Sequence, residues 1–161
     1  MWFRRKPKQE PADAMRGLRE QALTVTAADL GGAVGPGCFG VLMETGYPDA
    51  VATLVAFVDG TTSLYISSGG GVIGAGEKPA VRAASAQFVA RAAADFPHFV
   101  STVETPLPAP GRVRFYLRTS SGTFTAEAAE QDLGHGRHAL SPVFHAGHAV
   151  ITAIREASPQ A

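Results

Sequence analysis

The 161-residue chain holds a single cysteine, Cys38, so an internal disulfide is excluded and a reducing compartment fits. Placed between Gly37 and Phe39 at the head of a strand, this thiol reads as buried and inert rather than reactive. Charge of either sign is not in surplus. Lys and Arg number 14, Asp and Glu 14, for a formal net charge of zero. The basic excess of a nucleic-acid binder is therefore missing. No apolar run approaches the length of a membrane span. The N-terminus has the cations of a signal peptide without the apolar segment that should follow, because Gln9 to Ala14 is polar. A cytoplasmic location is the expectation. Catalytic signatures are absent too. There is no Gly-x-Ser-x-Gly elbow. Ser67, Ser68, His135, His138, Asp49 and Asp59 make triads only on paper. Glu104, Glu127 and Glu130 fall in a connector and on an outer strand, with no sign of a shared cleft. The reading leans away from an enzyme, and no cofactor is called for.

What is present is a pattern of strands and helices centred on residues 50–96. Val51 to Val58 is an apolar, β-branched run whose length and flanking turns predict a strand buried on both faces. Asp59-Gly60 predicts a type I′ hairpin. Thr61 to Ser68 alternates as a half-exposed partner, with Thr62, Leu64 and Ile66 on one face and Ser63, Tyr65 and Ser67 on the other. The loop Gly69 to Gly76 carries five glycines in eight residues, and Pro79 opens an alanine-rich helix reaching Phe96. Val81, Phe88, Phe96 and the small residues Ala84, Ser85 and Ala92 form its packing stripe.

Ahead of this unit, Ala12 to Leu23 is a plausible helix weakened by Gly17, with Met15, Leu18 and Ala22 inward and Arg16, Arg19 and Glu20 outward. Gly31 to Gly37 is a loop, and Phe39 to Glu44 the first strand. Behind it, Leu107 to Gly111 is a proline-stiffened connector. Arg112 to Thr119 is a strand with Val113, Phe115 and Leu117 on the core side and Arg112, Arg114, Tyr116 and Arg118 facing out. Thr123 to Ala129 returns as a hairpin arm, and Ser141-Pro142 starts a C-terminal helix. The fold class is α+β, one antiparallel sheet of five strands covered by helices. Its segments are a basic tail (1–11), an N-terminal helix with its glycine-rich loop (12–37), one α+β domain (38–157) and a short tail (158–161).

Four features are candidate sites. Gly69, Gly70, Gly71, Gly74 and Gly76 with Lys78 could cradle a phosphate at a helix start, although the spacing matches neither the dinucleotide fingerprint nor the P-loop. Arg114, Tyr116 and Arg118 form an outward row suited to an anionic ligand or an acidic partner, against a solvated or charge-blunted strand face that Glu127 or Glu130 partly neutralises. His135, His138, His145 and His148 cluster within fourteen residues and suggest a transition metal, against a solvated helix face. Trp2 and Phe3 beside Arg4, Arg5, Lys6 and Lys8 suit weak contact with an anionic membrane surface, against a solubilising extension.

The element order (helix, three strands, helix, hairpin, helix) resembles the roadblock, longin and profilin-like group of small α/β modules over Phe39 to Ala157, in order and length rather than in motif residues. That resemblance implies a regulatory or protein-interaction module, often dimeric through an edge strand or helix. A protein partner or a second copy is the leading expectation. A small-ligand or nucleotide-phosphate binder or enzyme built on the glycine loop and surface arginines, and a metal-binding protein built on the histidines, are the alternatives.

Overall fold

Strand β1, Cys38–Gly46, is apolar on both sides over most of its length, and such a strand is stable only where both faces are covered. In a computed structural model that describes residues 11–30 and 37–158, β1 is the central strand of one antiparallel sheet. Its partners are β2 (Val51–Phe57) and β6 (Arg112–Thr119). Outward on one side lie β3 (Thr62–Ile66) and β4 (Gly71–Val72). On the other lie β7 (Gly122–Ala129) and β5 (Val100–Thr102). The order is β4-β3-β2-β1-β6-β7-β5. All five expected strands are present, but the sheet has seven. The two extra strands, β4 and β5, span two and three residues, too short for alternation to show.

The helices are α1 (Pro11–Thr24), α2 (Pro79–Ala94), the short α3 (Glu130–Gly134) and α4 (Ser141–Ala157). Proline in the first turn of α2 and α4 gives up a donor that has no intrahelical acceptor there. One sheet face, with Val41, Met43, Leu54, Phe115 and Leu117, packs on Val81 and Phe88 of α2 and on Val143, Val150 and Ile154 of α4. At Gly147 a Cβ would stand 2.7 Å from the Met43 sulfur and 3.2 Å from the Phe88 ring, so α4 seats against both only without a side chain there. Phe96 is not part of the α2 stripe. It lies in a 3₁₀ turn past the helix, 40% exposed, edge-on to Phe124.

The opposite face is where the sequence reading needs correction. A second core there joins Leu42, Val55, Phe57, Tyr65 and Tyr116 to Ala22 of α1, with Met15, Leu18 and Leu23 packed around it. Alternation along β3 and β6 therefore separates two interiors rather than an interior from water. Ser63 and Tyr65 are buried, and Tyr116 and Arg118, expected to face out, are buried beneath α1. The Asp59-Gly60 reversal also differs in detail. Only Gly60 has positive φ, at 93°, Gly60 N–H donates to Phe57 O at 3.0 Å, and Asp59 Oδ1 accepts from Thr61 N–H at 2.9 Å. This is a type I turn followed by a left-handed glycine, the usual three-residue hairpin, rather than type I′. Among the described residues no helix is long and apolar enough to cross a membrane. Trp2, Phe3, Arg4, Arg5, Lys6 and Lys8 lie outside the described residues.

Candidate functional site

Between α1 and the sheet lies a polar layer built on Glu44. This carboxylate is 0% exposed, carried inward at the end of β1 by the same alternation that buries Leu42. Arg19 of α1 reaches down to it: Nε donates to Oε2 at 2.7 Å and Nη2 to Oε1 at 2.8 Å. Such a planar fork matches a carboxylate and is the strong form of ion pair. Arg19 was expected to point outward, but the buried acid outweighs hydration of the guanidinium. Nη2 also donates to Thr105 O at 2.8 Å, and Thr53 Oγ1 donates to Glu44 Oε2 at 2.6 Å. Burial alone would lower the Arg19 pKa, but Glu44's hydrogen bonds and charge outweigh it and the net direction is upward.

The β6 arginines are spent locally. Arg114 Nη2 pairs with Glu127 at 2.7 Å and its Nη1 donates to Thr125 Oγ1 at 3.3 Å. Arg112 reaches the same glutamate at 3.3 Å. Arg118 Nη1 donates to Ala22 O at 2.8 Å and so ties the end of α1 to the sheet, with its pKa lowered by burial. Tyr116 lies under Arg19, donates to Pro106 O, and is pushed up to about 12 by burial and then by the Glu44 charge. None of these groups forms an outward anion-binding row.

The glycine loop has a structural use. Gly69 N–H donates to Ile66 O and Ile66 N–H to Gly70 O, which closes the β3–β4 turn with Gly69, Gly70 and Gly71 at positive φ. A Cβ at Gly71 would stand 2.3 Å from Leu64 O, and one at Gly76 1.8 Å from Gly60 O. Gly74 also has positive φ, and its N–H donates to Ser63 Oγ at 3.3 Å. Lys78 is exposed and precedes Pro79 with no side-chain cap. The loop sits by β4 while Arg114 and Arg118 are on β6, four strand spacings away, or about 19 Å. The two halves of that ligand site are not brought together.

The histidines do not converge either. His138 Nδ1 accepts from Leu140 N–H at 3.0 Å, and His135 is exposed. His145 is exposed on α4, while His148 tilts against the Phe144 ring with centroids 4.4 Å apart. Among the described residues no group of three or more His, Cys, Asp or Glu side chains could hold a metal ion. His148 has a separate consequence. Its Nε2 is buried without a partner among the described residues, and burial holds its pKa below 6.5, with Glu130 opposing and His145 and Arg155 reinforcing the shift. The unfolded chain therefore binds more protons between the lowered value and 6.5, so stability falls as pH drops through that interval and levels off beneath it. Urea midpoints measured across this range are expected to show that fall in the parent and a flatter profile in His148→Gln. Superimposed profiles would exclude His148 as the source.

Two further features complete the candidate surfaces. A cleft of about 430 Å³ opens between α1 and strands β2 and β3, lined by Met15, Arg19, Thr53, Tyr65, Ser67 and Leu107. Tyr65 is 3% exposed and its hydroxyl has no partner among the described residues. Burial, and then the Glu44 charge, push its pKa up, so at neutral pH the phenol keeps its proton. At the far side of the sheet, β5 pairs only with β7 among the described residues. Val100 is 66% exposed and Val103 100%. No Asp, Glu, Lys or Arg occurs from Phe96 to Val103.

Sequence reasoning missed Glu44, Thr53, Tyr65 and Thr105. The available signal was Glu44 itself, an acid ending the run Phe39 to Met43 on the same side as Leu42. Comparison with protein-family models, curated proteins and solved structures returned no match, so the functional reading rests on the geometry of the chain alone.

Proposed function

We propose that the protein is a non-enzymatic interaction module that associates with a second copy of itself through the open edge of β5. The observation that carries this reading is a strand edge unpaired among the described residues, with exposed Val100 in the strand, exposed Val103 just past it, and no Asp, Glu, Lys or Arg beside them. Edge strands of monomers are ordinarily blunted by shortness, lysine, proline or bulges, because their free N–H and C=O groups pair readily with another strand, and of these β5 has shortness alone. An isologous antiparallel pairing centred on Ser101 sets no like charges against each other and extends the sheet across a two-fold axis. β5 is only three residues long, so the association belongs to the weak, reversible class. A profilin- or roadblock-like arrangement agrees with an antiparallel sheet covered by helices, and pairing through an edge strand belongs to the same expectation. A cytoplasmic setting suits the lone thiol of Cys38, which burial pushes up and away from reactivity.

Light scattering over a broad concentration range is expected to show a monomer–dimer equilibrium. Val103→Lys, at a fully exposed position, is expected to shift it to monomer with stability changed by no more than about 0.5 kcal/mol. A strict monomer at the highest concentration, or a dimer indifferent to Val103→Lys and Val100→Lys, refutes the proposal. Capture of an extended peptide by the same edge, with no self-association, would replace the second copy with a different partner.

A further inference from the structure

We infer that residues 105–110 form a docking ridge for a partner domain whose groove is lined with aromatic side chains and edged by basic ones. Pro106, Pro108 and Pro110 each fix their own φ at about −65°, and each drives the residue before it into extended backbone. Their peptide bonds are trans. Burial then identifies the conformation. Thr105 is half-buried and Pro108 buried, while Pro106, Leu107, Ala109 and Pro110 are exposed. A strand would set all three prolines on one side, yet Pro108 is covered and the other two are open. Repetition every third residue is that of a polyproline II helix. One of its ridges rests on the protein and two face solvent.

The segment is fastened from beneath. Arg19 Nη2 donates to Thr105 O at 2.8 Å, and the Tyr116 hydroxyl donates to Pro106 O. Gly46 gives the backbone its seat, since a Cβ there would stand 2.1 Å from Ala109 O. Arg112 N–H donates to Ala109 O at 3.0 Å across Pro110 and Gly111, whose φ is 79°, so a type II turn closes the segment. Folding has therefore already set the shape that a groove would have to impose on a free peptide, and such preorganisation raises affinity without new contacts. The chemistry of the partner follows. Prolines lack an N–H, so the segment cannot supply the full ladder of a strand added to a sheet. Its open ridges are apolar, with Leu107 52% exposed, and aromatic-lined grooves take up ridges of this kind. No charged residue occurs from Thr105 to Gly111. Glu104, just upstream, is exposed and makes no ion pair among the described residues. A lysine or arginine at one end of the groove would meet it and fix the direction in which the ridge is read.

The test titrates the full chain with a panel of purified polyproline-reading domains of the SH3 and WW types, members with a basic groove edge included, and follows amide chemical shifts. Saturable binding tighter than about 1 mM, with shifts centred on this segment, is the expected result. Leu107→Ser and Ala109→Lys alter one open ridge each. Both are expected to leave the melting temperature unchanged and to weaken binding about tenfold. Glu104→Gln is expected to weaken it about threefold, the scale of one exposed ion pair. A synthetic peptide spanning residues 102–112 is expected to bind more weakly than the full chain, because it must be ordered on binding. Absence of binding across the panel, shifts centred elsewhere, indifference to both ridge variants, or a free peptide that binds as well as the protein overturns the assignment. Val103→Lys, which reports on self-association, leaves residues 105–110 intact, so failure of either reading leaves the other standing.

Discussion

Replacing Arg19 with methionine is expected to cost about 3–5 kcal/mol of folding stability, because it strands a carboxylate that has no access to water. The magnitude follows from burial. Glu44 is 0% exposed and the Arg19 side chain 15% exposed, so the pair is not the solvated kind whose loss goes unnoticed. Three donor contacts disappear together, two to Glu44 and one to Thr105 O. Among the described residues Thr53 alone remains to satisfy the charge. The double variant Arg19→Met, Glu44→Leu is expected to recover much of the loss, since the net worth of a buried pair relative to an apolar one is small even where breaking it is costly. Urea unfolding of the parent, the two single variants and the double variant provides the cycle. A single-variant loss below about 1 kcal/mol would show that the pair behaves as a surface contact and that α1 does not seal this layer.

The second large effect is expected at Gly76. An added Cβ would fall 1.8 Å from Gly60 O and 2.9 Å from Gly60 C, both backbone atoms of the β2–β3 turn that cannot swing aside as a side chain would. Gly76→Ala should therefore cost about 3 kcal/mol or more, at or beyond the upper end of ordinary overpacking. Gly70→Ala offers the contrast. It has no neighbour within 4 Å, but its φ is 93°, so it should cost about 1–2 kcal/mol from backbone conformation alone. Chemical denaturation of the two variants separates close approach from conformational freedom. Equal losses would mean that the loop is not clamped against the turn.

These two sites show how far the sequence reading reached. The density of glycine over residues 69–76 was legible, although what Gly76 approaches, the Gly60 carbonyl, belongs to tertiary structure. The five longer strands were legible because alternation or a β-branched apolar run spans five or more residues in each. β4 and β5 offer no such length. The polar layer was read inside out for a specific reason. On β6, Arg112, Arg114, Tyr116 and Arg118 form a row that alternation assigns to solvent, and alternation carries no information about a second cover. That cover, α1, is only moderately apolar and itself presents an arginine. Arg19 is intelligible only beside Glu44 and Tyr116 only beside the Pro106 carbonyl, whereas Glu127 opposite the β6 arginines was expected from the hairpin. Pairings at such sequence separations are invisible to a periodicity argument.

The seam between β1 and β6 has one more consequence. Val41 lies opposite Leu117, so the middle of the sheet is closed by segments far apart in the sequence. As the polypeptide leaves the ribosome, β1, β2 and β3 can form their meander while one apolar side of β1 still waits for its neighbour. Until Arg112–Thr119 emerges, nascent chains share the same unguarded edge, and this is the interval in which a chaperone would matter most.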